Sequence, residues 1–305
     1  MKKVIITGAN GFIGTALCRE LSTKNIQVTA IVRDQESNID NIRKIPGISI
    51  VYCELSKYEK LPQLIRDRKF DVFYHLAWVG NAGKLRGDSN VQINNIKYTC
   101  DAVKASAEIE CKKFVFASSI MEYEISAVME TNNIPNINTL YSSAKIAANY
   151  MSRTLAGALG IDYIRAVVSN TYGPGEKSPR LINTSIRKLL NGEHCAFSAG
   201  EQMYDFIYID DVAKAFAAIA EKGKSNKTYY IGSQTPKPLK HFLLELKDQI
   251  NPEIEIGLGE LPFDGISLSY TEFDIDAVKN DTGFEAKVKF NEGICRTIKW
   301  IKEGN

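Results

Sequence analysis

Short apolar runs rich in β-branched residues recur along the first 170 residues, separated by amphipathic stretches. KKVIITG, IQVTAIV, ISIVYC, DVFYHLA, KKFVFASS and IDYIRAVVS read as six strands. FIGTALCRELSTK reads as a helix with Ile13, Leu17 and Leu21 on one face. YEKLPQLIRD, the stretch from Asn94 to Ala107 and the stretch from Leu140 to Leu159 read as three more. Parallel strands need long crossover connections, and strands buried on both faces need apolar runs rather than strict alternation. The pattern therefore predicts an α/β chain: a doubly wound parallel sheet with helices on both faces and right-handed crossovers.

The alternation changes after YGPGE. LINTSIRKLLNG, the end of DFIYIDDVAKAFAAIAEKG, PLKHFLLELKDQI and the stretch from Asn291 to Lys302 are predicted helices, with a short strand at KTYYIG. Asp210 and Asp211 read as helix caps. One unit is expected over residues 1–172 and a smaller α/β unit over 173–305, with some segments crossing back.

A formal net charge of +2 over 305 residues argues against a nucleic-acid partner, which needs a concentrated basic face. No apolar run approaches the roughly 20 residues needed to span a bilayer, so no membrane partner is expected. The N-terminal run VII is broken at Thr7, Gly8, Asn10 and Gly11, unlike a secretory signal, and a cytoplasmic protein is expected. The six cysteines are scattered without a CxxC pair and read as reduced structural thiols. His75, His194 and His241 have no metal-ligand spacing, and no metal is expected.

Gly8-Ala9-Asn10-Gly11-Phe12-Ile13-Gly14 follows the first strand and opens the first helix. In that context the first glycine allows a tight turn and the second lets backbone approach a pyrophosphate. The third lets helix and strand pack closely. The helix N-terminus offers free N–H groups to the anion. At the end of the second strand stand Val32 and Arg33, where an NAD site usually carries a carboxylate. Arg33 offers a planar fork for a 2′-phosphate, so NADP(H) is favoured, with NAD(H) left open; a solvated loop arginine is the plainer reading.

Tyr141 and Lys145 stand four residues apart in a predicted helix, so both point one way. A lysine beside a phenol is expected to lower its pKa, making it a proton donor or acceptor nearer neutral pH. The strand FVFASS ends in Ser118 and Ser119, whose hydroxyls would lie in the crevice at the strand carboxyl ends.

In this order, glycine turn, serine strand and YxxxK helix, the chain resembles the extended short-chain dehydrogenase/reductase family of nucleotide-sugar epimerases, dehydratases and reductases. TGANGFIG, HLA, FASSIMEY, YSSAK, NTYGPG and YDFIYIDDVAKAF appear in family order. The resemblance implies a Rossmann fold, a dinucleotide cofactor and a nucleotide-sugar substrate. It implies Ser119 as hydroxyl partner, Tyr141 as acid/base and Lys145 as ribose-binding lysine. It places Glu54, Leu55, Leu76, Ala77, Asn95 and Val168 beside the cofactor, and Asn170 and Arg180 beside the substrate. Trp78 reads as an aromatic wall of the sugar pocket or as a core residue under a loop. Where the 4,6-dehydratases carry an Asp-Glu pair, this chain has Ile120 and Met121; Glu122 is one position on. Val167 and Tyr204 stand where the family usually has arginines. The reaction expected is NADPH-dependent reduction of a 4-keto nucleotide sugar, with an NAD-dependent C4 epimerase as alternative. A non-catalytic dinucleotide sensor is a distant third reading. The family often pairs two copies through the YxxxK helix and the helix before it, so a homodimer is open here. Ala144, Ala147 and Ala148 suit such packing and a core equally.

Overall fold

The computed structural model describes residues 1–131 and 136–304. Six strands follow the predicted runs: β1 Lys3–Thr7, β2 Gln27–Val32, β3 Ile48–Tyr52, β4 Val72–His75, β5 Lys113–Ser119 and β6 Asp162–Val168. A further strand, Thr228–Ile231, returns to the sheet and pairs parallel with β6. The seven strands run in the order Thr228–Ile231, β6, β5, β4, β1, β2, β3, and every pairing is parallel. The winding direction reverses between β1 and β4. At that reversal the two halves diverge and leave a crevice at the strand carboxyl ends.

The two faces of β1 show how side-chain alternation divides the core. Val4 and Ile6 face one layer with Leu17, Val212 and Phe216. Ile5 faces the other with Phe73, Phe114, Phe116 and Ala148. The first layer holds helix α1, Phe12–Thr23, packed against the helix Ile209–Lys222. On the second, the helices Ser89–Glu108 and Thr139–Ala158 pack against each other. A third apolar cluster joins Tyr172, Ile186, Phe206, Phe242 and Ile294, beyond the end of the sheet.

Three local expectations change. The stretch YEKLPQLIRD is not one helix: a 3₁₀ turn over Leu55–Lys60 breaks at Lys57 and is followed by a short helix, Leu61–Leu64. Pro62 lies in its first turn, where a missing N–H costs nothing. The helix expected from Asn94 begins at Ser89, because Asp88 caps it by accepting from the Val91 amide at 3.1 Å. Asp211 does not cap its helix. It is fully buried and accepts the amides of Lys287 and Val288, both at 2.8 Å, tying a distant segment to the sheet's flank.

The ends of β1 and β4 are joined by a buried polar chain. Thr7 Oγ1 accepts the amides of Leu76 and Ala77, both at 3.2 Å, and lies 3.0 Å from His75 Nδ1. His75 Nε2 lies 3.2 Å from Thr99 Oγ1, which in turn donates to the Asn95 carbonyl at 2.8 Å. With two amides donating to Thr7, its hydroxyl proton points to Nδ1 and the histidine proton sits on Nε2. Burial, assisted by the Lys145 charge, pulls the His75 pKa from 6.5 down to about 3. The unfolded chain therefore takes up this proton first as pH falls. The stability His75 contributes is full above pH 6.5 and is lost progressively towards pH 3. The loss between pH 6.5 and pH 5 is expected to be about 2 kcal/mol. Urea unfolding over that range should show His75→Gln losing correspondingly less; parallel curves for the two proteins would refute the assignment.

Candidate active site

The carboxyl ends of β1 to β6 lie along one edge, and the predicted site residues gather there. Gly8, at φ +67°, turns the chain out of β1, and its amide partner across the turn is Gly11, which donates to the Gly8 carbonyl at 3.0 Å. A methyl group on Gly8 would meet the Ala77 amide nitrogen at 3.0 Å, so β1 and β4 approach closely here. On Gly14 it would lie 2.2 Å from the Gly8 carbonyl oxygen, so helix and turn require glycine there. Gly11 is the N-cap of α1; no side chain caps the helix, and its first turn carries no acid. The amides of Phe12, Ile13 and Gly14 are thus left for an anion, an arrangement that fits the diphosphate of a dinucleotide. Gly175 lies against the Phe12 ring, which brings the NTYGPG segment beside this turn.

At the end of β2, the Arg33 side chain is 73% exposed and its Nε donates to Asp34 Oδ2 at 2.7 Å. Arg33 thereby holds the Asp34 carboxyl below its usual range, with Ser37 assisting. After β3, Glu54 is exposed and pairs with Lys57 at 3.1 Å, while Leu55 packs against the second core layer. Asn95 is buried, and its side-chain amide is engaged by the Val79 backbone at 2.8 and 3.1 Å, pinning the loop after β4. Val168 is buried at the end of β6.

Tyr141 and Lys145 lie on the helix Thr139–Ala158, facing the ends of β4 and β5. Tyr141 is buried, and its phenol faces the Ser119 hydroxyl. Lys145 Nζ donates to the Ala117 carbonyl at 2.8 Å and sits 3.8 Å from the Trp78 ring centroid. Trp78 meets Tyr141 edge-on at 5.9 Å and donates its indole N–H to Gln92 Oε1 at 3.0 Å. It is therefore both packed core and a wall of the Tyr141 pocket.

The expected electrostatics of this pair are corrected. Burial pushes the Tyr141 phenol up, opposed by the neighbouring Ser119 hydroxyl and then by Arg86. Lys145 is 5.9 Å from the Tyr141 ring, and burial pulls its own pKa down to about 7, partly opposed by Glu122. Desolvation outweighs the helical-turn pairing that the spacing suggested.

The two serines at the end of β5 divide their work. Ser119 faces Tyr141 and accepts the Met121 amide at 3.2 Å. Ser118 Oγ donates to Glu122, and Arg165 on β6 pairs with the same carboxylate. Glu122 Oε1 also accepts the Ser119 amide at 3.2 Å, closing a capping box over the turn Ile120–Glu122. Glu122 is thus buried in a structural ion pair rather than presented to the crevice.

Beyond the end of β6, a cavity of about 160 Å³ is lined by Asn170, Tyr172, Arg180, Asn183, Tyr204 and Phe206, among others. Arg180 pairs with Glu176 at 3.3 Å, and Tyr204 stacks on Phe206 at 5.5 Å. Three contributors were not singled out from the sequence: Thr7, Arg86 and Asp205. Arg86 lies in a non-periodic loop, and Thr7 is a single hydroxyl in an apolar run. Asp205 is read within YDFIYIDD, yet its buried carboxylate accepts Tyr230 Oη at 2.6 Å and the Ser233 amide at 3.0 Å. Among the described residues no His, Cys, Asp and Glu group has metal-site geometry, and no helix is long and apolar enough to cross a membrane.

Comparison with known proteins agrees with this geometry. Residues 4–232 match the family model described as the NAD dependent epimerase/dehydratase family. The chain is 27% identical over 255 residues to dTDP-D-glucose 4,6-dehydratase of Dictyostelium discoideum, covering 76% of this chain and 58% of that protein's length. The solved structure of UDP-N-acetylglucosamine 4-epimerase from Methanobrevibacter ruminantium, in complex with UDP-N-acetylmuramic acid, superposes with a TM-score of 0.82. It is 23% identical, over 100% of this chain and 99% of that one. The Bordetella bronchiseptica enzyme WbmF, in complex with NADH, gives a TM-score of 0.83 at 22% identity, over 99% and 92% of the two chains. These structures share the fold. With the family model matched across the whole sheet, from β1 to the returning strand, the chain belongs to the NAD dependent epimerase/dehydratase family, an enzyme of the extended short-chain dehydrogenase/reductase type.

Proposed function

We propose that this enzyme interconverts a ketone and an alcohol at C4 of a nucleotide-activated sugar, without eliminating water. The observation that carries this reading is the division of labour after β5. A buried phenol that faces the Ser119 hydroxyl is available for proton transfer. The one nearby carboxylate of the turn, Glu122, is held by Arg165 and Ser118. Ile120 and Met121 exchange no protons. The nicotinamide dinucleotide, when bound, supplies or accepts the hydride.

In reduction, Tyr141 gives its phenolic proton to the oxygen that was the ketone, and Ser119 hydrogen-bonds that oxygen as charge develops on it. Lys145 holds the nicotinamide ribose with the N–H donors not used by Ala117. Gly8, Gly11 and the first-turn amides of α1 hold the diphosphate, with Glu54, Leu55, Leu76, Ala77 and Val168 alongside. Asn95 contributes by fixing the loop after β4. Residues 1–172 mainly serve the dinucleotide and residues 173–305 mainly the sugar nucleotide, whose base and diphosphate would occupy the cavity at Asn170 and Arg180.

The net reaction we favour is NADPH-dependent reduction of a 4-keto, 6-deoxy sugar nucleotide, supported by the missing carboxylate at Val32. A specific observation favours the second reading, an NAD-dependent C4 epimerase: Arg33 already pairs with Asp34, and a 2′-phosphate would have to compete for it. The 4-epimerase and the NADH complex among the structural relatives support that reading equally.

One measurement tests the proton-transfer role common to both readings, and two separate them. Tyr141→Phe is expected to lower kcat at least a hundredfold, the low end of general-acid contributions, while leaving coenzyme affinity unchanged. Assays would pair UDP-4-keto-6-deoxy-D-glucose with NADPH and UDP-glucose with NAD. A Tyr141→Phe protein retaining a tenth of wild-type turnover would sink the proton-transfer role, and a C4 epimer formed without net coenzyme consumption would replace reductase by epimerase. Calorimetry is expected to show NADPH binding roughly ten- to a hundredfold tighter than NADH, from one charge-assisted contact. Arg33→Ala should erase that preference; equal affinities in the wild type would leave the epimerase reading standing.

A further inference from the structure

Five charged groups come from the elements packed around Tyr141, of which Arg86, Glu122 and Arg180 act on the phenol itself. Lys145 comes from its own helix and Glu122 from the turn after β5. Glu124 comes from the helix Tyr123–Thr131, Arg180 from beyond the strand Asn170–Tyr172, and Arg86 from the loop after β4. Four of them are otherwise engaged. Lys145 Nζ donates to the Ala117 carbonyl at 2.8 Å and lies over the Trp78 ring, and burial pulls its pKa down. Glu122 is held by Arg165. Glu124 accepts Ser142 Oγ at 2.7 Å, and Arg180, whose side chain is 46% exposed, pairs with Glu176.

Arg86 is different. Its guanidinium carbon lies 4.5 Å from the Tyr141 ring centroid, and its side chain is mostly buried. The ring is bounded on another side by the edge-on Trp78. The loop that carries Arg86 is fixed from within. Gln92 Nε2 donates to the carbonyls of Gly80 and Leu85, both at 3.0 Å, and Gly80, at φ +72°, packs so closely that a methyl group would lie 2.5 Å from the Leu85 oxygen. Asp88 and Asn95 pin the next residues and Val79. Glu124 Oε2, 4.0 Å from the Arg86 guanidinium, restrains its far end.

We infer that Arg86 is the positioning residue of Tyr141: stacked on the phenol ring, its guanidinium holds the ring against Trp78 and stabilises the ionised oxygen, the part that spacing alone assigns to Lys145. A guanidinium keeps its charge throughout the range in which a phenol titrates, and its plane matches the ring face. The inference rests on Tyr141 being the proton-transfer group of the proposed reaction. It also makes the loop after β4, which contributes no reacting atom, part of what sets the pH range of the enzyme.

The test needs neither substrate nor coenzyme. The protein is labelled with 3-fluorotyrosine, and the Tyr141 fluorine signal is assigned by its disappearance in Tyr141→Phe. Its chemical shift is then followed against pH. Arg86→Met is expected to move the Tyr141 midpoint up by about one pH unit, because a neighbouring cation is removed. Arg86→Lys, which keeps the charge but not the planar fork, should fall between Arg86→Met and the wild type. The remaining tyrosine signals should titrate unchanged, which separates this effect from a general loosening of the fold. An unmoved Tyr141 midpoint in Arg86→Met overturns the inference while leaving the proposed reaction intact. Failure of that reaction would show instead as full turnover by Tyr141→Phe.

Discussion

One buried hydroxyl, Thr7, holds the crevice in shape. It sits where the winding of the sheet reverses, the place at which β1 and β4 would otherwise be free to splay. By accepting two β4-end amides and donating to His75, it fixes both the glycine turn and the Leu76-Ala77-Trp78 corner. The chain then continues through Thr99 to the Asn95 carbonyl, while the Asn95 side chain holds Val79. The glycine turn, the Trp78 corner and the start of the loop after β4 at Val79 are therefore set by one connected set of bonds. A neutral His75 is a condition of this arrangement: both ring nitrogens are engaged, one as acceptor, and protonation would break the Thr7 bond between two fully buried side chains.

The electrostatics around Tyr141 follow from the same burial. A phenol shut away from solvent resists ionisation, and an ammonium shut away beside it loses its proton more readily. A Tyr-Lys pair taken by itself thus works against its expected chemistry once the pocket closes. What offsets this is a guanidinium stacked on the ring and a hydroxyl at Ser119. Glu122, which would oppose phenol ionisation, is kept in its own pair with Arg165. The same carboxylate accepts the Ser119 amide and so caps the turn that carries it.

Most of the sheet was legible because its central strands are buried apolar runs rich in β-branched residues, with little polar alternation. The glycine turn and YxxxK were legible because fixed spacings carry their geometry. What escaped has a common cause. The Leu55–Lys60 turn and the short Leu61–Leu64 helix have apolar residues at helical spacing but break at Lys57, a conformational fact with no sequence marker. Asp211 has the position of a cap and the burial of a core residue, and only the arrival of Lys287 and Val288, 76 and 77 residues later, decides between them. Arg86 belongs to the same class: its importance comes from a ring 55 positions away in sequence, brought over it by two helices packing on one face of the sheet. Spacing reports neighbours within one element, and the direction of a pKa shift depends on burial that spacing does not contain.

Asp205 shows how the two parts of the chain act as one. Its carboxylate takes the Tyr230 hydroxyl and the Ser233 amide at the end of the returning strand. Its backbone carbonyl accepts Ser169 Oγ at 2.6 Å and the Asn170 amide at 3.2 Å. Its own amide donates to the Tyr270 hydroxyl at 3.0 Å. A fully buried carboxylate persists only if its lone pairs are met, and here they are met by Tyr230 on the returning strand and by Ser233 and Gln234 just after it, while the backbone of the same residue takes the end of β6 and Tyr270. Asn170, on the wall of the cavity, is consequently placed by the same residue that closes the sheet edge. The strand that crosses back is thus not a decoration of the sheet: through Asp205, its return fixes Asn170 on the cavity wall.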